Sequence, residues 1–158
     1  MPTYSTSIAI NADQETIWKV LSDVARWHEW TPTVSSVEVL NTPELKLNNR
    51  YKVVQPKLQP AEWTVTFLTP SSNFTWESKS PGMHMVAEHI LNSKGENQTE
   101  LTLTFAFHGW LGKLIGRIYG KTAEAYIQTD AQSLKKRVEN QSLVPCNLNP
   151  KNHETTKL

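Results

Sequence analysis

Residues 99–139 read TELTLTFAFHGWLGKLIGRIYGKTAEAYIQTDAQSLKKRVE, and this stretch decides the architecture. Its first ten residues alternate, with Leu101, Leu103, Phe105 and Phe107 on one side and Glu100, Thr102 and Thr104 on the other, the pattern of a half-buried strand. Gly109 ends the alternation, and one long helix is expected over roughly 110–139. The line of that helix expected to face the sheet is Gly112, Gly116, Gly120, Ala123 and Ile127, small residues first and bulkier ones later. Three glycines inside a helix cost roughly 1 kcal/mol each relative to alanine, so they require a packing or functional reason.

Upstream, the same alternation recurs in short runs. Residues 62–68 place Trp63, Val65 and Phe67 on one face, and residues 73–79 present Phe74 and Trp76. Val37 with Val39, then Tyr51, Val53 and Gln55, mark two earlier strands, and residues 83–92 another. Pro70-Ser71-Ser72-Asn73, Pro81-Gly82 and Lys94-Gly95-Glu96-Asn97 separate the later runs, and links this short join antiparallel neighbours. The six runs therefore form a meander.

The chain begins with an alternating run over 4–10. Asn11 and Gln14 have capping-box spacing before a helix carrying Ile17, Val20, Leu21 and Val24. Asp23 opens a second short helix with Trp27 and Trp30 on one face, stopped by Pro32.

The order of elements is strand, two short helices, six strands, long helix. With Ile10-Asn11-Ala12, Thr16-Ile17-Trp18, Val20-Leu21-Ser22-Asp23, Trp27, Trp30-Thr31-Pro32 and Gln55-Pro56, it resembles the START/birch-pollen-allergen (SRPBCC) superfamily, and within it the polyketide cyclase/dehydrase-like group. The resemblance covers roughly residues 3–140. It implies an α+β helix-grip fold: a curved seven-stranded antiparallel sheet around a long C-terminal helix, with two short helices after strand one. It also implies a ligand cavity, but not one chemistry, since the group includes binders, transfer proteins and enzymes.

Composition sets further bounds. A chain of 158 residues fits one domain, here 1–140, and residues 141–158, rich in Asn and Pro, are expected to be a disordered tail. The 16 basic and 15 acidic residues nearly cancel, which removes the electrostatic footprint of nucleic-acid binding. No signal-like or spanning segment is evident, so a cytoplasmic protein is expected, as a monomer or a homodimer. Cys146 stands alone, and His28, His84, His89, His108 and His153 lack metal-ligand spacing, so no metal or other cofactor is expected.

Two readings of the aromatic stripe compete. Trp63, Val65, Phe67, Trp76, Leu103, Phe105 and Phe107 make a filled core if the helix closes on them. They wall a pocket on the order of several hundred Å3 if the glycine-rich half of the helix leaves the gap open. The pocket is the expectation adopted here, with Ala123, Ile127, Met85 and Ala87 as further apolar wall. His89, Gln55, Tyr119 and Tyr126 are its polar candidates. Met85, Ala87 and His89 are assigned inward because the opposite phase would bury Glu88 without a partner. His89 is then either a hydrogen-bonding or proton-transfer group or a satisfied core histidine, and it is the candidate catalytic residue.

The expected function is binding of a small hydrophobic or amphipathic molecule of lipid, isoprenoid or polyketide type. A cyclase/dehydratase is the enzymatic alternative. A third reading rests on 110–122, where Leu111, Leu114, Ile115 and Ile118 cluster beside Lys113, Arg117 and Lys121. By helical counting this cluster points away from the later stripe of Ala123, Ile127, Ala131, Leu134 and Val138. Either the helix bends near Gly116–Gly120, or the cluster faces elsewhere. It would then meet a membrane surface or a second copy as a gate over the cavity mouth, or pack beneath the loops of strands three to six.

Overall fold

A computed structural model describes residues 1–142 of the chain. Seven strands form one antiparallel sheet: β1 (Thr3–Ile10), β2 (Ser36–Val39), β3 (Arg50–Val54), β4 (Ala61–Thr69), β5 (Asn73–Ser80), β6 (Met83–Gly95) and β7 (Gln98–His108). Their spatial order is β1-β7-β6-β5-β4-β3-β2, the expected meander with β1 returned beside β7. Helix α1 (Gln14–Leu21) and a 3-10 helix (Val24–Glu29) follow β1, and α2 (Gly112–Ser142) ends the described chain. From residue 143 the expected tail, with Cys146 and His153, lies outside the described residues.

Local chemistry departs from expectation at two points. The cap of α1 is Asp13, whose carboxylate accepts from the Thr16 backbone N–H at 2.7 Å, rather than Asn11. That oxygen satisfies an otherwise orphaned helix donor. Within β4 the register shifts between Val65, opposite Trp76, and Phe67, opposite Thr75, so Thr66 is an extra residue. A bulge of this kind turns the following side chain to the other face. Trp63 and Val65 are buried, Phe67 is 52% exposed on the outer face, and Leu68 returns to the core side.

The expected phase of β6 holds, with Ala87, His89 and Leu91 buried and Met85 partly so. The core gathers around Trp27, whose ring lies 5.1 Å from that of Trp76 and whose indole N–H donates to Leu21 O at 2.9 Å. Ile17, Leu21, Phe74, Leu134 and Val138 belong to the same buried cluster.

Helix α2 crosses the β1–β7 side of the sheet and touches α1. It is tied along its length: Tyr4 Oη donates to Gly116 O at 3.3 Å, Lys135 Nζ to Ala9 O at 2.8 Å, and the Asn11 N–H to Glu139 Oε1 at 2.9 Å. The glycine stripe makes this crossing close. A Cβ on Gly116 would fall 2.5 Å from Pro2 Cγ, and one on Gly120 2.0 Å from Tyr4 Oη. The glycines therefore serve close contact, Gly112 with Phe107 of β7, Gly116 with Pro2 just before β1, and Gly120 with Tyr4 of β1. The expectation that they leave the gap was misplaced: α2 packs on β1 and β7 and makes no comparable contact with β3 to β6.

Candidate functional site

A cavity of about 300 Å3 opens where the sheet leaves α2. One wall is Trp63 of β4, Met83 and Met85 of β6, and Phe105 and Phe107 of β7. The opposite wall is Ile115, Tyr119, Ala123, Tyr126 and Ile127 of α2. The loop after β3 supplies the rim through Gln55, Leu58 and Gln59, with Ala61 at the start of β4. The α2 wall follows from the helix repeat, since 115, 119, 123, 126 and 127 recur at three- and four-residue steps on one side. Its apolar character follows from aromatics and methionines standing on alternate strand positions.

A smaller chamber of about 50 Å3, space for a water or two, lies deeper. It shares Gln55, Trp63, Phe105, Ile127 and Asp130 with the larger one and adds Trp27, Trp76, Ala87, His89 and Leu103. Three titratable residues, Glu88, His89 and Asp130, are on its lining, and two of them are strongly perturbed by burial. His89 is 8% exposed and stacks on Phe74 with ring centres 4.2 Å apart at 6°. Trp27 and Trp76 enclose it at 5.5 and 5.6 Å. Burial pushes its imidazole down to about 3 against a smaller opposing effect of the Phe74 backbone, so the ring is neutral at physiological pH. Its Nδ1 is buried without a hydrogen-bond partner.

Asp130 projects from α2 into both chambers. Thr31 Oγ1 donates to Asp130 Oδ1 at 2.7 Å and Thr33 Oγ1 donates to the same oxygen, the two hydroxyls being 3.1 Å apart. The residue keeps some accessible surface, in keeping with its place on the chamber walls. Its carboxyl is nonetheless enclosed enough that burial pushes it up to about 6, outweighing both threonine hydroxyls. Oδ2 has no hydrogen bond among the described residues and is the oxygen that can take a proton or meet a guest.

Most residues expected at the site converge here. Gln55, Trp63, Met85, Phe105, Phe107, Tyr119, Ala123, Tyr126 and Ile127 line the larger chamber; Trp76, Ala87, His89 and Leu103 line the inner one. Val65 is fully buried in the core and reaches neither chamber, and the β4 bulge puts Phe67 on the opposite face of the sheet. Tyr126 lines the wall with its hydroxyl already engaged, donating to Pro56 O and pinning the rim loop to α2.

Asp130 was missed from the sequence, although a signal existed. It falls seven residues after Ala123, three after Ile127 and four after Tyr126, on the same helix side as the apolar wall. Thr31 and Thr33, its partners, carried no such signal. Among the described residues no group of three or more His, Cys, Asp or Glu is placed to hold a metal ion. No described helix is long and apolar enough to cross a membrane.

A long helix laid across a seven-stranded antiparallel sheet, with a chamber between them, defines a helix-grip domain. Residues 1–139 match the model of the polyketide cyclase/dehydrase and lipid transport family, and the chain belongs to that family. Among solved structures, the Zhui aromatase/cyclase from Streptomyces sp. R1128 superposes with a TM-score of 0.73 at 18% identity, covering 89% of this chain and 94% of that one. A START superfamily protein from Mycobacterium smegmatis gives 0.68 at 18%, covering 88% and 98%. A hypothetical protein from Helicobacter pylori gives 0.75 at 12%, covering 86% and 87%. At these identities the likeness is one of fold. No curated protein sequence matches the chain.

Proposed function

We propose that this protein binds a small apolar or amphipathic molecule of lipid, isoprenoid or polyketide type in the chamber between α2 and the sheet. The observation that carries this reading is the 300 Å3 apolar-walled cavity with a polar inner end. Its volume stands at the lower end of the roughly 300–1,000 Å3 usual for small-molecule pockets. Burial of ligand surface against Trp63, Phe105, Phe107 and Ile115 supplies affinity at about 25 cal/mol per Å2 of apolar area. Asp130 Oδ2 and His89 Nδ1 orient a hydroxyl or carbonyl at the far end, and an unmatched polar group there would be costly.

Native mass spectrometry of freshly purified protein, paired with titration of the apolar fluorophore N-phenyl-1-naphthylamine, tests this. A retained small molecule or saturable uptake is expected, and Ala123→Trp, which fills the chamber, abolishes it without lowering the melting temperature. Absence of both, or uptake indifferent to Ala123→Trp, refutes the proposal.

The enzymatic reading is favoured by one observation, the raised carboxyl of Asp130 on the chamber wall. A group near 6 suits proton transfer at neutral pH, whereas His89, near 3, is too weak a base and is better suited to holding the substrate. In a dehydration Asp130 would take the α-proton of a β-hydroxy carbonyl compound. It would then return that proton to the departing β-hydroxyl, which leaves as water as the carbon–carbon double bond forms. Asp130→Asn is expected to cut such turnover by about a hundredfold or more. Unchanged turnover in that variant removes the reading.

A further inference from the structure

Seven large apolar residues are prominently exposed among those described, and four of them, Trp110, Leu114, Ile118 and Tyr119, fall within ten positions at the start of α2. Trp110 is 81% exposed, Leu114 54% and Ile118 60%. The helix is unbroken through this region; of the expected cluster Leu114 and Ile118 face outward, while Leu111 lies against the Gly82 turn and Ile115 lines the cavity. Lys113, Arg117 and Lys121 are exposed on the same segment, which has no acidic residue before Glu124. None of the three is in an ion pair among the described residues. With a formal net charge of +1 for the chain, these three cations leave −2 for the remainder.

At about 100° per residue, Leu114, Ile118 and Lys121 fall within an arc of about 60°, with Arg117 and Lys113 on one flank. On the other flank Leu111, Ile115 and Tyr119 continue the apolar surface round the helix, and Ile115 and Tyr119 are already cavity wall. One apolar swath thus runs from the outer face into the chamber. We propose that this face docks on the surface of an anionic lipid bilayer. Trp110, Leu114 and Ile118 enter the interface and the three cations meet lipid headgroups.

Charge selects this occupant over a second copy of the chain, because a two-fold contact would set both cation triplets face to face. The docking is a property of the outer face and does not depend on the cavity. Exchange of a guest between bilayer and chamber along Ile115 and Tyr119 rests on the ligand-binding proposal above.

The test is co-sedimentation of the full chain with phosphatidylcholine vesicles, with and without phosphatidylserine, at low and high salt. Binding is expected only with phosphatidylserine and is weakened by salt. Each cation neutralised should cost about fivefold, and Lys113→Gln, Arg117→Gln and Lys121→Gln together roughly a hundredfold. Leu114→Ser with Ile118→Ser should abolish binding while N-phenyl-1-naphthylamine uptake persists. Ala123→Trp should block uptake and leave vesicle binding intact, so the two proposals fail separately. Equal binding to neutral vesicles, no binding at all, or a concentration-dependent dimer that Leu114→Ser dissolves would overturn the docking proposal.

Discussion

Lowering the pH from 7 to 5 sets His89 and Asp130 against each other. His89 titrates at about 3 in the folded protein against an ordinary 6.5. Below 6.5 the unfolded chain takes up a proton that the folded chain refuses, so stability present above that value drains away as the pH falls toward 3. By pH 5 the loss is about 2 kcal/mol. Asp130 is held at about 6 against 3.8, so the folded chain binds its proton first. Its contribution is fully present below 3.8, is lost as the pH rises through 6, and returns about 1 kcal/mol between pH 7 and 5. His89→Phe, which keeps a ring stacked on Phe74, should therefore gain about 2 kcal/mol on the parent over that interval. Asp130→Asn should lose about 1 kcal/mol on it. Urea unfolding followed by tryptophan fluorescence at pH 5, 6 and 7 measures both, the parent-minus-variant difference cancelling every other carboxylate. Lines that stay parallel, or that diverge in the same direction, would refute the placement of these groups in a water-poor interior.

Other perturbations address the helix, the bulge and the inner chamber. Gly116→Ala combined with Gly120→Ala places methyl groups on Pro2 and Tyr4 and should lower stability by about 2 kcal/mol. Helix propensity alone demands a gain of about 1 kcal/mol per site, so a more stable protein in thermal or urea unfolding would contradict the close crossing. Trp63→Ala should cost about 3–5 kcal/mol, whereas Phe67→Ala, four positions on, should stay within about 0.5 kcal/mol. Comparable losses would place Phe67 inside and deny the bulge. Thr31→Val withdraws a hydroxyl that holds the Asp130 carboxyl down, so its midpoint, followed by NMR of the carboxyl carbon, should rise further above 6.

Much of the site was legible because alternation and helical repeat carry direction. Met85, Ala87 and His89 could be turned inward by asking which phase would strand Glu88. Leu103, Phe105 and Phe107 needed only the spacing of two. Phe67 defeated the same rule, since a single inserted residue, Thr66, reverses every later side chain and leaves no mark on the alternation. The glycines were visible but ambiguous, as small residues permit either a gap or a close approach. Only the position of Pro2 and of Tyr4, at the start of edge strand β1, settles which.

By itself, the order of periodic segments determined the meander and the single long helix, because each is a local preference repeated along the chain; the return of the first strand was implied by the family resemblance. The hollow, its polar inner end and the outward-facing apolar swath were decided in three dimensions. The chamber exists because α2, held against β1 and β7, does not close on β3 to β6. Asp130 gains its raised proton affinity only because folding takes its carboxyl out of water, against the hydrogen bonds of Thr31 and Thr33, about a hundred residues away in sequence, which hold it down.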